Sequence, residues 1–584
     1  MGAMSRDTAE MTEHMRHSLA HLLAAAVLEL YPDAKRAIGP STDNGFYYDF
    51  AFLSPISDAD LPKIEKAMKK ILKTWKAFER HEVSKEEALK EFADNPYKIE
   101  LIEEFAKDGQ KLSVYQSGEF RDLCRGGHVD SARDIKPDAF TLSHVAGAYW
   151  RGDEKNDMLT RIYGFAFGTK EELDAYLTQR EEAKKRDHRK LGRELDLFTF
   201  SDLVGTGLPL WTPKGTVLRR ELDAYVQSLR AQYGYQHVTI PHITKKALYE
   251  TSGHWDKFAD ELFRIKTREE KEYALKPMNC PHHTQIFGRR PHSYREMPQR
   301  YAETTMVYRD EQSGELGGLT RVLSITQDDS HVFCRANQVK DEFFKIWDIV
   351  DTFYGAFGFK LRVRLSFRDP EAPEKYIGSK EVWDSAEKAL AEIAKERNAD
   401  YFEGPGEAAM YGPKLDFMAM DAIGREHQVA TIQLDMNLPE RFDLTCVNEK
   451  GEKERIVMIH CAIMGSIERF GAVLIEHLAG SFPLWLSPVQ VKVLPISENH
   501  RDYANTVFTS LKKMGIRAEF DDSNETLGKK IRNAKLEKVP YFLVIGDKEV
   551  EGKEVKVEHR DGSSETLSAS ELVSRLQTEI AEKK

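Results

Sequence analysis

Three segments far apart in the chain restrict its fold more than any other feature: MNCPHH around Cys280, the run from Arg309 to His331, and MIHCAIMGSIERF around His460. They supply one cysteine, Cys280, and two histidines, His331 and His460, as possible zinc ligands. They also supply three arginines, Arg309, Arg321 and Arg469, suited to a triphosphate. A soft thiolate with two imidazoles suits zinc, and three protein ligands leave a fourth position open. Guanidinium forks match phosphate oxygens two bonds at a time. A fold that gathers these residues would bind ATP beside a small ligand able to chelate the metal. Taken singly, Cys280 reads as a small buried hydrophobe and each histidine as an ordinary hydrogen-bonded one. The wide spacing matches no zinc-finger pattern, so only their joint occurrence points to a site.

At 584 residues the chain is long enough for three or four domains. Its five cysteines, Cys124, Cys280, Cys334, Cys446 and Cys461, make no disulfide framework and fit a reducing compartment. The longest apolar stretch, 18–30, is interrupted by His21 and too short to span a bilayer. No basic segment precedes it, so it does not read as a signal peptide, and a cytoplasmic location is expected. The opening Met-Gly-Ala-Met reads as an expression remnant and is left out of the fold reasoning. A net charge of −11 argues mildly against a nucleic-acid partner, but phosphate binding needs only a local basic footprint. Two candidates are 184–193 (KKRDHRKLGR) and 528–538, where Lys529, Arg532 and Lys535 recur at helical spacing. Either can equally be a solvated helix face.

By composition the chain divides into 1–167, a charged helical connection over 168–194, a stretch 195–484 that carries the zinc and arginine motifs, and 485–584. A Pro-rich turn breaks the pattern near 480–488. Beyond it, VQVKVLPI, a helix about 504–514, RAEFD and YFLVIGD alternate as a small α/β domain should. The first stretch has its own chemistry. His17 and His21 lie four apart in a helical run and share a face. Cys124 and His128, in DLCRGGHVD, form a second pair. By spacing alone these four are a small structural zinc site or a functional cluster.

The motifs of 195–484 together resemble the threonyl-tRNA synthetase family, bacterial type, among the class II aminoacyl-tRNA synthetases. The implied fold is α+β and multidomain: an antiparallel class II core with helices, an α+β editing domain and a C-terminal α/β anticodon-binding domain. With that resemblance, Cys280, His331 and His460 become the implied ligands of one zinc. LRRELDAYVQSLRAQYGYQHVTIP resembles motif 1, which implies a homodimer. In motif 2, Arg309 would hold the α-phosphate, Glu311 would read adenine and Arg321 would support the phosphates. In motif 3, Arg469 of GSIERF would bind the γ-phosphate, although alone it reads as a helix-surface arginine. Gln428 joins the ATP set. Asp329, Tyr411 and Gln433 would contact threonine, Gln327 and Lys414 would line the catalytic cleft, and His254 of TSGHW would assist transfer at the tRNA terminus or serve as a structural histidine. Magnesium would accompany ATP.

The resemblance also explains why two sites occur. A hydrophobic pocket separates ligands differing by a methylene by only about 1–3 kcal/mol. Threonine could ligate zinc through both amino and hydroxyl groups, which valine cannot. Serine offers the same two groups, so a hydrolytic sieve is needed. The HxxxH and CxxxH pairs match the editing domain shared with alanyl-tRNA synthetases, and Lys98 and Asp122 fall on positions used in that pocket. The family's cluster is thought to position water without a tightly held zinc. Glu549 matches an anticodon-reading position, whereas Glu558, followed by His559 and Arg560, stands where many relatives carry arginine. Ser324 stands where glycine is common, and the small domain that usually precedes the editing domain has no room here. Three rivals are a prolyl enzyme, a non-catalytic RNA-binding paralogue and a standalone editing factor. The zinc set, the retained arginines and the second half of the chain, respectively, argue against them. The implied partners are tRNA(Thr), ATP and L-threonine, with no membrane.

Overall fold

A computed structural model describes residues 6–584, with side chains from Glu10 onward. The opening four residues lie outside that range. The chain forms two compact units, divided after Glu181.

The first unit is built on the helix Arg6–Leu30. Its Leu- and Ala-rich middle is a strong helix former, and Leu19, Leu22, Leu23, Ala26 and Val27 pack against Phe46, Tyr48 and Phe50. Those aromatics lie on Gly45–Ala51, which pairs antiparallel with Met158–Ala166, itself paired with Phe140–Tyr149. A smaller sheet of Glu79–Glu82, Ser113–Ser117 and Phe120–Leu123 carries the CxxxH segment at its end.

The second unit centres on an eight-stranded sheet. Its order is Gln236–His237, Gln299–Tyr308, Ser324–Cys334, Val457–Ser466, Glu426–Asp435, Lys414–Met420, Lys360–Phe367 and Tyr401–Pro405. Only the two outermost pairings are parallel. The helices Pro213–Gln232, Val339–Gly355 and Ile467–His477 bury their apolar faces in one core with the sheet. On Val339–Gly355 the buried Phe343, Ile346, Trp347, Val350, Phe353 and Tyr354 keep the helical repeat. On the core side, buried Asp328 meets Arg230 of Pro213–Gln232 at 3.3 Å and accepts the backbone N–H groups of Ile463 and Met464. That contact locks the long helix to the centre of the sheet.

Residues 491–568 form a five-stranded sheet in which Val491–Pro495 pairs parallel with Ala518–Phe520 and Tyr541–Ile545. Two antiparallel strands, Glu554–His559 and Ser564–Ser568, complete it. The helix expected at 504–514 runs Arg501–Lys513. The expected single connection over 168–194 is two helices, Lys170–Arg186 and His188–Glu194. The break falls at Asp187, whose side chain caps the second helix by accepting from Arg189 N–H. Ser324 opens a strand and pairs with Tyr308, extended backbone that needs no glycine.

Candidate active site

Strand register explains how residues so distant in sequence meet. His331 lies directly opposite His460, His460 opposite Gln433, and Gln433 opposite Lys414. Directly paired residues project from the same face, so one row across four strands lines the cleft. Along Ser324–Cys334 the alternation turns Gln327, Asp329 and His331 to that face and sends Asp328 and Ser330 to the core.

His331 Nε2 stands 3.1 Å from His460 Nδ1, and the donor atoms of Cys280, His331 and His460 all lie within 4.8 Å of one another. Neighbouring ligands on a tetrahedral zinc sit about 3.3 Å apart for nitrogen and somewhat farther for sulfur, so the trio fits zinc. The far sides of the rings are held: His460 Nε2–H donates to Asp435 Oδ2 at 2.8 Å, and His331 Nδ1 meets His283 Nδ1 at 2.7 Å. Such outer partners fix which ring nitrogen keeps its lone pair. Burial pushes the Cys280 thiol well up, with Asp329 and Asp435 adding to it, and burial drives His331 well down. Neutral imidazoles are ready donors, while a buried thiol needs a cation to ionise.

Beside the trio, Asp329 accepts from Asn279 Nδ2 at 3.0 Å, and the Tyr411 ring stands 5.0 Å from that of His460. Lys414 Nζ reaches Asp416 at 3.2 Å, Gln428 donates to Asp416 at 2.9 Å, and Gln433 donates to Gly412 O. His254 is fully buried, with Nδ1 at Ser252 Oγ and Nε2 at Met278 Sδ, and burial drops its pKa to about 3.

The arginines flank this floor. Arg309 follows Gln299–Tyr308, and its Nε is buried without a hydrogen-bond partner among the described residues. Arg321 pairs with Glu311 and Glu315. Arg469 sits in the first turn of Ile467–His477, open to solvent but walled by protein, so desolvation and then the neighbouring Arg321 lower its pKa. Clustered cations, one with a buried donor left unpaired among the described residues, suit a polyanion.

In the first unit the four expected residues also converge. Cys124 Sγ lies 3.2 Å from His128 Nε2 and 3.6 Å from His17 Nε2, and the His21 and His128 rings are 4.3 Å apart. Gly126 and Gly127, with φ of 127° and 82°, make the turn that returns His128 to Cys124, a path closed to other residues. Burial lowers His21 to about 3 and raises Cys124 to about 11. Burial alone would raise buried Asp122, but Lys98 at 2.8 Å and Arg36 at 3.0 Å outweigh it and hold its pKa far down.

In the anticodon-like region, Glu549 caps its own helix by accepting from Gly546 N–H, and Glu558 pairs with Lys556. Arg560 donates to Phe482 O and Lys538 O. Sequence reasoning missed Asp435, His283 and Asp416 in the cleft, and Tyr48, Arg36 and Ser18 around the histidine cluster. Asp435 was within reach, since it lies two residues beyond Gln433 on one strand. Tyr48 and Arg36 carried no signal, because they belong to one sheet and Asp122 to another, and only the packing of the two sheets brings them together.

Comparison with known proteins agrees with this geometry. Residues 263–478 match the tRNA synthetase class II core domain (G, H, P, S and T), 490–579 an anticodon binding domain, and 112–163 the threonyl and alanyl tRNA synthetase second additional domain. Threonine–tRNA ligase of Deinococcus radiodurans is 48% identical over 577 residues, covering 97% of this chain and 88% of the relative. That of Porphyromonas gingivalis is 52% identical over 558 residues, covering 94% and 85%. The chain belongs to the threonine–tRNA ligase family. It is therefore a class II aminoacyl-tRNA synthetase, and the 112–163 match fits editing of mischarged tRNA. Among solved structures, the RNA binding domain of threonyl-tRNA synthetase from Cryptosporidium parvum aligns with a TM-score of 0.65 at 39% identity, covering 67% of this chain and 98% of that one. Prolyl-tRNA synthetase of Giardia lamblia aligns at 0.56 with 17% identity, covering 70% and 81%, a likeness of fold alone. Among the described residues, no helix is long and apolar enough to cross a membrane.

Proposed function

We propose that the chain activates L-threonine with ATP, transfers the threonyl group to tRNA(Thr), and hydrolyses seryl-tRNA(Thr) formed in error. The observation that carries this reading is a buried Cys280–His331–His460 trio beside three arginines, two of which, Arg309 and Arg469, make no side-chain hydrogen bond or ion pair among the described residues. In activation, a threonine carboxylate oxygen bonds to the α-phosphorus as the bond to pyrophosphate breaks. Arg309 stabilises the charge that gathers on the α-phosphate, while Arg321 and Arg469 hold the outer phosphates. Glu311, released from Arg321, takes the adenine edge, with Gln428 beside it. Asp329, Tyr411 and Gln433 hold threonine, and Gln327 and Lys414 line the path of the reacting groups. A zinc held by Cys280, His331 and His460 would offer its open position to the amino and hydroxyl groups that distinguish threonine from valine. Magnesium accompanies ATP. A terminal tRNA hydroxyl then attacks the threonyl carbonyl and AMP leaves, with His254 near the transfer step.

Editing falls to the first unit, domain 1–167. His17, His21, Cys124 and His128 orient a water for attack on the ester. Lys98, held by Asp122, fixes the bound ester. Domain 195–484 performs activation, connected through 168–194, and domain 485–584 reads the anticodon, with Glu549 at a base. Lys529, Arg532 and Lys535 are exposed along one face of Leu527–Leu536, a footprint for the tRNA backbone. The 184–193 run is a weaker footprint, since Arg186 and His188 are engaged within the second unit. The enzyme acts in the cytoplasm as a homodimer through the motif 1 region, whose strand Gln236–His237 is an exposed sheet edge.

The test is amino-acid-dependent pyrophosphate exchange with threonine, serine, valine and proline, with zinc measured in parallel. Strong exchange with threonine, less with serine, almost none with valine and about one zinc per chain are expected. Exchange with proline, or none from folded zinc-loaded protein, refutes the reading.

A further inference from the structure

The basic run 184–193 contains a residue that no part of the proposed chemistry uses. His188 opens His188–Glu194 and is 5% exposed. Its Nδ1 lies 2.7 Å from Glu476 Oε1, near the end of the motif 3 helix Ile467–His477. Its Nε2 accepts the backbone N–H of Leu319 at 3.1 Å. Leu319 is fully buried and lies in the motif 2 loop between Arg309 and Arg321.

Asp187, His188 and Glu476 are close enough together to suggest a metal site. Both ring nitrogens of His188 are already committed, however: the Leu319 N–H occupies the Nε2 lone pair and the Nδ1 proton goes to Glu476. Glu476 is equally engaged, accepting from His188 N–H at 3.1 Å and from Arg425 at 2.6 Å. The cluster is a brace.

The loop is shaped to receive the ring. Gly318 adopts φ 58°, and a Cβ there would stand 2.4 Å from His188 Nε2. The turn is also tied to Arg321, whose carbonyl accepts from Gly317 N–H at 3.2 Å, while Thr320 N–H donates to Gly317 O at 2.9 Å. Fixing Leu319 therefore fixes the backbone that carries Arg321. Arg186 strengthens the dock, donating to the carbonyl of His477 at 2.9 Å.

We propose that His188 is a positioning residue for the nucleoside triphosphate. It fastens the motif 2 loop to the motif 3 helix, so that the Arg321 and Arg469 guanidinium groups are held at the spacing a triphosphate spans. The segment that follows the connecting helix thereby becomes part of the ATP site. This inference rests on the reading of Arg321 as a phosphate ligand.

The test is threonine-dependent pyrophosphate exchange on the full chain, with ATP and threonine varied separately, for His188→Ala, His188→Gln, Gly318→Ala and Arg321→Ala. Loss of one hydrogen bond to a loop backbone should raise the ATP KM of His188→Ala about tenfold, with threonine KM within about twofold. His188→Gln, whose amide oxygen can accept the Leu319 N–H, should recover most of the loss. Gly318→Ala, with His188 intact, should raise ATP KM in the same direction. An unchanged ATP KM in folded His188→Ala overturns the proposal, as does an equal loss on both substrates without rescue by glutamine. If His188→Ala does not fold, an unchanged ATP KM in Gly318→Ala overturns it instead. Arg321→Ala separates the two readings: if it leaves ATP KM unchanged, the phosphate role of Arg321 fails and this proposal with it.

Discussion

Replacing Asp435 by asparagine probes the zinc reading without touching a ligand. Asp435 is fully buried. One carboxylate oxygen accepts His460 Nε2–H at 2.8 Å, and the other accepts Asn437 N–H at 2.7 Å and Leu438 N–H at 2.9 Å. Asparagine can keep the two backbone bonds with its carbonyl oxygen, but its NH2 then faces a second donor. Relief requires the His460 proton to move to Nδ1, the atom that faces His331 Nε2 and would carry the metal's lone pair. Loss of such an outer partner lowers metal affinity by about 10–100-fold, or about 1.4–2.8 kcal/mol. The cost to folding is that of one perturbed buried hydrogen bond, about 1–3 kcal/mol. Competition with a chromogenic chelator measures the affinity, and pyrophosphate exchange at limiting zinc measures the consequence. A variant that holds zinc within about twofold of the parent would refute the assignment of His460 as a ligand through Nδ1.

Cys280→Ala should lose zinc and threonine activation together, and retained zinc with full exchange would contradict it. His17→Ala should leave threonine exchange unchanged while seryl-tRNA(Thr) accumulates in a mischarging assay; rapid clearance of that product would remove His17 from the editing site. His21 and His254 each have a folded pKa of about 3, below the ordinary 6.5, because of burial. The unfolded chain therefore binds protons that the native chain does not between about pH 6.5 and 3. Stability is complete above that window and is lost as pH falls into it, by about 1.4 kcal/mol per pH unit for each group. Thermal unfolding from pH 8 to 5 should show a falling melting temperature below pH 6.5, and a flat profile would show that these rings are not held neutral.

How much of this was legible without coordinates depends on the range of the interaction. His17 and His21 share a helix face because four residues make about one turn, and Cys124 returns to His128 through a Gly-Gly turn. Both facts are local, so chain order alone implied them. The alternating face of Gln327, Asp329 and His331 is local in the same way, as is the separate alternation that sets Asp435 on the face of Gln433. The break at Asp187 was readable too, since an Asp placed before a helical run is a ready cap.

Pairing across distance is what sequence could not supply. His331 reaches His460 only because two strands align in one register, and a slip of one residue would send one of them to the core face. Tyr48 and Arg36 meet Asp122 only because two separate sheets of the first unit pack together, which chain order does not reveal. His188 most clearly separates the two levels. Along the chain it is one imidazole in a run of solvated charge, and only the close approach of Glu476 and Leu319 in the tertiary fold makes it part of the ATP loop. Residue types and local periodicity were enough to give the family and the order of its domains, and to single out Cys280, His331 and His460 as candidate ligands. The tertiary structure decided which side chains hold the ligands in place, because those contacts depend on strand register and packing between segments hundreds of residues apart.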